Sequence, residues 1–526
     1  ISSANSNSSN SNRSNRSTIN INNISSNSNN TSSSNQPPGP AKQTSTAPVL
    51  MWFKRDLSVF DNAALIHAVQ AGSVLPVYIL ELELWQQPDM SHRHFCFLKD
   101  SLADLSEDLC ALGQGLVLRI GDPVSILTDL HQKFSFTQLC SHQETWNGWT
   151  YARDQRVQAW CQTTGVTWHQ PRRIGVTRGL NKRAGWAQRW QHYMAQPCLP
   201  APTGLKKIDL ASDPMPRPED FHLAEDGCAA RQSGGRRQGL QVLESFLHRR
   251  GEDYSKAMSS PLSAAQACSR LSAHLAFGTL SMREVHHALE ARRKALAASP
   301  KTMSGNWPKA FSSFSSRLHW HCHFIQKLED EPRIEFENMH PAYDKLRQEP
   351  VNDAYLTAWQ QGQTGYPMVD ACMRSLIATG WLNFRMRAML MSFASYHLWL
   401  HWRLPALHLA RQFTDYEPGI HYAQAQMQSG TTGINTIRIY NPIKQSLDQD
   451  PNGVFIKRWV PELRDVPIGF IHQPWHFPDK MNGYPLPIVD EKAARQAASV
   501  KLYALRKPRQ HALAAQRTCF VQATVG

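Results

Sequence analysis

The sequence predicts an α/β domain built on a parallel sheet, followed by an all-α domain. Three observations predict it. Residues 48–198 alternate five short apolar runs with stretches of helical spacing, the β-α-β pattern of a parallel sheet covered on both faces. From 237 to 505 strand-like alternation is nearly missing and helical spacing takes over. The chain has 526 residues, 41% hydrophobic and 19% charged, enough apolar material for two or three domain cores.

In chain order, residues 1–47 are a low-complexity tail. Ser and Asn fill 26 of the first 36 positions, a composition that cannot bury a core, so disorder is expected. An acid-free, Ser-rich leader with arginines is also the composition of a transit peptide, but the Asn excess and poor amphipathicity argue against one. Strands are expected at 48–53, 74–80, 115–120, 137–140 and 166–168, with a helix over 97–112. No G-x-G-x-x-G follows the first strand, so the ordinary dinucleotide fingerprint is absent. Residues 199–236 read as a linker, rich in proline (Pro200, Pro202, Pro214, Pro216, Pro218) and closed by S-G-G-R-R. Helices are expected at 239–249, 282–296, 307–328, 366–402 and 491–505, within a helical domain spanning 237–505. Residues 506–526 form a basic tail.

The net charge is +14; the two tails carry +3 and +4, leaving +7 on the body. A basic body fits a polyanion partner, since each neutralised phosphate releases counterions. Ten cysteines stand singly from Cys96 to Cys519 with no C-x-x-C pair, which predicts reduced thiols, mostly in cores, and no zinc or iron–sulfur site. The longest uncharged apolar-rich candidate for a membrane span, 388–402, has 15 residues and contains His and Ser, which is too short and too polar. An intracellular soluble protein, monomeric, is expected; the compartment is open.

Four blocks carry chemistry. They are W-F-K-R-D-L-S-V-F-D-N (52–62), Y-S-K-A-M-S-S-P…C-S-R-L-S-A-H-L-A-F-G-T-L-S (254–281), T-G-Y-P-M-V-D…G-W-L-N-F-R-M-R (364–387) and R-I-Y-N-P-I-K-Q-S…K-R-W-V-P-E-L (438–463). In this order they resemble the photolyase/cryptochrome family over roughly residues 48–505. The resemblance implies an N-terminal Rossmann-like parallel-sheet domain and a C-terminal helical FAD-binding domain. It places Tyr254, Ser269, Arg270, Leu271 and Ser272 at the flavin phosphates, where a cation and hydroxyl or backbone donors are needed. Cys268 stands where the family has Thr. Arg387 and Asp415 match a pair beside the isoalloxazine, and Glu417 an acceptor for the ring or ribityl.

The same resemblance exposes departures. Of the family's electron-relay tryptophans only the middle one is kept, at Trp402; the proximal position is Ala425 and the distal one falls near Glu349. A different path through Trp399, Tyr396 or Tyr422 is open. His421 occupies the position facing flavin N5, either as a proton donor or as a buried, satisfied histidine. In the lesion pocket Trp320 is kept, while Arg317, His321 and Phe384 replace the usual Glu, Arg and Asn. The alternating His319, His321 and His323 cannot all face one way on a helix, so no metal is expected.

The resemblance implies light-driven repair of damaged DNA: electron transfer from reduced FAD to a flipped-out pyrimidine dimer stacked on Trp320. Lys444, Lys457, Arg458 and Arg464 are candidate backbone contacts. The alternative is a cryptochrome-type blue-light photoreceptor without repair; a flavin oxidoreductase without light function is a third, but no nicotinamide site is seen. An antenna chromophore of unknown identity is a further implication, with residues 141–146 as its candidate contact.

Overall fold

The computed structural model describes residues 47–180, 183–298 and 305–505. Most of the Ser/Asn-rich tail, the basic tail and Cys519 lie outside the described residues. Strands β1 (Val49–Phe53), β2 (Val74–Leu80), β3 (Val117–Ile120), β4 (Gln138–Cys140) and β5 (Thr167–His169) form a parallel sheet in the order β3-β2-β1-β4-β5. Each lies within two residues of its expected bounds. β1 pairs with β2 from Val49↔Val74 to Phe53↔Tyr78 and with β4 through Leu50↔Leu139. Both β1 and β2 are buried along their whole length, which is why they read as unbroken apolar runs.

The alternation of side chains divides the sheet between two cores. Leu50, Trp52, Leu75, Val77 and Ile79 pack with Leu127 and Leu130 of α4 (Pro123–Phe134) and Val157 of α5 (Gly148–Thr164). Val49, Met51, Phe53, Tyr78 and Leu80 share a core with Phe97 and Leu98 of α3 (His92–Ala111), and with Phe277, Met389 and Phe393 far along the chain. α1 (Ala63–Ala71) and the short α2 (Leu82–Trp85) complete the crossovers. The chain leaves β1 and β4 in opposite directions across the sheet, so their carboxyl ends form the topological switch point, where open α/β sheets take ligands.

The helical part consists of α6 (Trp186–Ala195), α7 (Arg236–Ser245), α8 (Tyr254–Ala257), α9 (Pro261–Ala267), α10 (Ser272–Phe277), α11 (Met282–Ala297) and α12 (Trp307–Asp330). It continues through α13 (Asp353–Gln361), α14 (Pro367–Thr379), α15 (Phe384–Ser392), α16 (Arg403–Gln412), α17 (Pro418–Ser429), α18 (Pro442–Gln449), α19 (Val454–Trp459) and α20 (Glu491–Leu505).

Several expectations change. The single helix expected over 366–402 is two, α14 and α15, followed by a π turn over Phe393–His397. Gly380 caps α14 in the left-handed region, at φ 69°, and the apolar pattern continues because both helices face one core. α6 falls inside the expected sheet domain, yet Trp186, Trp190 and Met194 pack with Leu243, Val285 and Phe311 of the helical part. Residues 199–235 carry one short 3₁₀ helix, Pro218–Phe221, and pair with the sheet side: Asp213 N–H donates to Leu118 O (3.0 Å) and Ile208 N–H to Gln114 Oε1 (2.5 Å). All nine described cysteines are free; Cys140, Cys161, Cys322 and Cys372 are buried, Cys96, Cys198, Cys228 and Cys268 are half-buried and Cys110 is exposed, so fewer than half lie fully in cores.

α3 begins five residues before its expected start, because its first turn is polar yet buried. The Arg93 guanidinium donates to Leu376 O (3.1 Å), Gln412 O (2.7 Å) and Asp226 Oδ2 (2.7 Å). Ser91 donates to Arg411 O (2.8 Å), and His94 Nε2 to Phe413 O (2.8 Å). Burial pushes the His94 pKa down to about 4, which keeps the ring neutral. The sheet domain thus fixes the strip 411–413 that leads into Asp415 and Glu417.

Candidate flavin site

The site is assembled from the ends of helices. α9 stops at Ala267, and Arg270 takes a left-handed conformation at φ 61°, uncommon for a side chain of this size. Three groups hold it there. Gln232 Nε2 donates to Arg270 O (2.9 Å), Arg250 donates to the carbonyls of Cys268 and Ser269, and the Arg270 guanidinium stacks on Trp381 at 4.2 Å. Arg250 and Trp381 were not among the sequence candidates. Arg250 belongs to no motif, and only its folded position across the loop reveals it.

Ser269 precedes Arg270, and Leu271 and Ser272 follow it into α10, which is only six residues long, so charge rather than a helix dipole dominates here. Arg250, Arg270, Arg317 and Arg387 surround Cys268, with Asp415 as the acid acting on Arg270. Burial, partly offset by Asp415 and reinforced by Arg250 and Arg387, pushes Arg270 down to about 10. Its Nε has no partner, nor has the Ser255 hydroxyl.

The other end centres on Arg387. It makes a bidentate pair with Asp415 (3.0 and 2.9 Å), donates Nε to Leu382 O (2.6 Å) and lies 4.0 Å over the Phe413 ring. Burial raises the Asp415 pKa, but Arg387 and Ser272 outweigh it and hold the carboxyl below its usual range. Glu417 is buried, and its Oε1 is unpaired. Burial pushes it up to about 7 against the pull of Arg55 and Arg173. Asn383 donates to Met258 O (3.1 Å) and Ser259 O (2.8 Å), leaving its own Oδ1 buried and unpaired.

The chain matches DNA photolyase over residues 49–174 and the FAD-binding domain of DNA photolyase over 314–504. It is 30% identical to the deoxyribodipyrimidine photo-lyase of Escherichia coli, over 87% of this chain and 99% of that one. The chain belongs to the photolyase/cryptochrome family. Cryptochrome-1 of Arabidopsis thaliana is also 30% identical, over 85% of this chain and 69% of that one. A class III photolyase from Agrobacterium tumefaciens superposes with a TM-score of 0.76 at 26% identity, covering 88% and 98% of the two chains.

The residues present fit the family's FAD. Four arginines face a single carboxylate around Cys268, the demand of a pyrophosphate. The orphaned donors, Arg270 Nε and Ser255 Oγ, lie toward that end; the orphaned acceptors, Glu417 Oε1 and Asn383 Oδ1, suit a ring N–H or hydroxyls. When bound, FAD supplies a light-absorbing group that exchanges single electrons. A buried carboxylate with one oxygen unpaired costs stability, so Glu417→Gln raises the stability of the flavin-free protein by on the order of 1–3 kcal/mol above about pH 7. The sign follows from the raised pKa: the contribution of Glu417 is fully present below its ordinary value of 4.5 and is lost as pH rises through about 7. Urea midpoints of the two proteins should therefore converge in mild acid and separate in mild base.

The remaining photolyase-family candidates are distributed as follows. Arg317 is exposed and lies beside the Tyr254 hydroxyl. Trp320 is 37% exposed and stacks on Phe324 at 5.6 Å; Phe384 is 54% exposed. His321 is half-buried, lines an opening with Arg173 and Glu417, and is pushed down to about 4 by burial and Arg173. His319 and His323 point the other way, onto Trp186 at 5.0 and 5.9 Å, and no metal-ligating cluster occurs among the described residues. His421 donates Nε2–H to Ala406 O (2.7 Å), and burial pushes it down to about 4; it is a neutral ring whose N–H is already committed. Trp402 is fully buried and donates to Asn338 (2.8 Å), whereas Trp399 donates to Glu349 (3.2 Å) with Arg347 and Lys501 over its ring.

Proposed function

We propose that this protein repairs pyrimidine dimers in DNA in a light-dependent reaction. The observation that carries the reading is the pair of exposed aromatics, Trp320 on α12 and Phe384 on α15, on the helices that also bring Arg317 and Arg387 to the flavin site. Large aromatics at a surface stack on an extruded base, and a basic chain supplies the backbone attraction. Arg458 and Arg464 are exposed and suit phosphate contacts; Lys444 is paired with Asp448 at 3.0 Å and Lys457 is half-buried. The site's own residues would hold the flavin phosphates (Arg270), orient the ring (Arg387 with Asp415) and accept from it (Glu417).

The test is repair by the purified, photoreduced protein of single-stranded and duplex DNA carrying a cyclobutane dimer or a (6-4) photoproduct, with dark controls. Light-dependent loss of one lesion supports the reading and names the substrate. Trp320→Ala then weakens binding of lesion DNA by about 5- to 150-fold, the equivalent of 1–3 kcal/mol of stacking, with flavin content unchanged.

The replacements in the pocket favour a second reading, a blue-light photoreceptor: Arg317 turns toward Tyr254, and Phe384 offers a dimer no hydrogen bond. Failure to repair either lesion by a photoreducible protein would select it. For an antenna chromophore, residues 142–146 line, with Lys54, Arg55 and Asp56 at the sheet's switch point, the same opening that His321, Arg173 and Glu417 reach, so any ligand there would share it with the flavin side. An archaeal photolyase from Sulfolobus tokodaii, 26% identical with a TM-score of 0.73, was solved with two FAD molecules.

A further inference from the structure

Ala425 occupies the position where the resemblance puts the aromatic nearest the flavin. One turn earlier on α17, and so on the same face, stands Tyr422. Trp402 meets the Tyr422 ring edge-on at 6.2 Å. Tyr422 meets His421 at 5.4 Å and Tyr416 at 6.3 Å, and the two tyrosine hydroxyls are 3.1 Å apart. The Tyr416 hydroxyl lies 2.7 Å from Asp89 Oδ2. A carboxylate has no hydrogen to give, so the one hydroxyl hydrogen of Tyr416 goes to Asp89, and the hydrogen of the 3.1 Å bond comes from Tyr422. Asp89 is 3% exposed, and its Oδ1 is buried without a partner.

We propose that Tyr422, Tyr416 and Asp89 form a proton-coupled electron relay that takes the place of the aromatic residue missing at Ala425. Tyr422 gives one electron to a one-electron oxidant, which in the reading above is photoexcited oxidised flavin. Its O–H bond breaks, and the proton forms a new O–H bond on Tyr416. The former Tyr416 proton forms an O–H bond on Asp89. The products are a neutral tyrosyl radical at Tyr422, an intact Tyr416 and a neutral carboxylic acid at Asp89; electron return reverses both transfers.

The row of hydrogen bonds answers a physical problem. Tyr422 is 1% exposed, and loss of an electron alone would leave a cation in a site that water cannot solvate. Delivering the proton to Asp89 leaves neutral groups at both ends. Burial pushes both phenols above their ordinary pKa, so neither is ionised in advance and the proton must leave with the electron.

The proposal rests on the flavin reading for its oxidant, so the test uses two oxidants on the flavin-loaded protein. One is blue light absorbed by flavin; the other is an external ruthenium polypyridyl photo-oxidant with a sacrificial electron acceptor. Electron paramagnetic resonance reads the radical, and time-resolved infrared reads the carboxylic acid stretch. The expected result is a tyrosyl radical with a new acid band and a solvent deuterium slowing, with the radical lost in Tyr422→Phe. Asp89→Asn keeps both tyrosines but removes the acid band and lowers the radical yield by about tenfold, ~1.4 kcal/mol of lost driving force. Tyr416→Phe does the same by interrupting the row, and it carries the test if Asp89→Asn does not fold. A wild-type radical confined to tryptophan, or a tyrosyl yield unaffected by both variants, would overturn the relay. A radical with the external oxidant but none with blue light would leave the relay standing and remove the flavin reading instead.

Discussion

Asp415→Asn lowers the stability of the flavin-free protein by about 1–3 kcal/mol, the cost of leaving the half-buried Arg387 guanidinium without its hydrogen-bonded counter-charge. The Asp415 side chain is 6% exposed, and it receives both arms of Arg387. Removing it also leaves Arg250, Arg270 and Arg387 facing one another without the carboxylate that opposes them. Denaturant unfolding should show the midpoint falling at unchanged slope. The sign with pH is fixed by the lowered pKa: the contribution of Asp415 is present above its ordinary value of 3.8 and is lost as pH falls further. The variant and the parent therefore converge only in strong acid. Added FAD narrows the gap, because its pyrophosphate brings negative charge to the same cluster, and binding stabilises whichever protein it occupies.

Arg270→Leu behaves in the opposite way. Burial and two neighbouring arginines already disfavour the charge of Arg270, so its removal leaves the flavin-free protein as stable as the parent or more so. Its unpaired Nε and its stacked guanidinium mark it instead as a ligand group. Loss of a hydrogen bond to a charged partner is worth about 1.5–3 kcal/mol, hence about 10- to 150-fold weaker FAD binding. Titrating FAD into the flavin-free protein measures the affinity, and thermal unfolding measures the stability. A variant that lost both together would mean that Arg270 props the loop rather than holding phosphate.

The sheet was legible because β1 and β2 are buried on both faces, and unbroken apolar runs of five to seven residues have little else to be. The Arg387–Asp415 pair was legible only through resemblance, since nothing in the sequence across their separation of 28 positions signals that the two will meet. The break at Gly380 was hidden by the common core behind α14 and α15. Arg250 and Asp89 carried no signal. Each acts on a group that the fold delivers from elsewhere: Cys268 and Ser269 for one, and Tyr416, 327 positions away, for the other. Arg317 stands in a motif that the resemblance places at the lesion pocket, and only the fold shows that Tyr254 lies beside it.

The first turn of α3 has a consequence for how the protein is made. Arg93 leaves the ribosome 319 residues before Gln412, whose carbonyl it binds. At about 5–20 residues per second that is roughly 15–60 s of synthesis. Until the end of that interval Arg93 lacks Gln412 and His94 lacks Phe413, although Asp226 and Phe277 reach Arg93 and Phe97 earlier. The first turn of α3 is therefore completed only late in synthesis, and the flavin site is whole only after the residues up to Glu417 have been released.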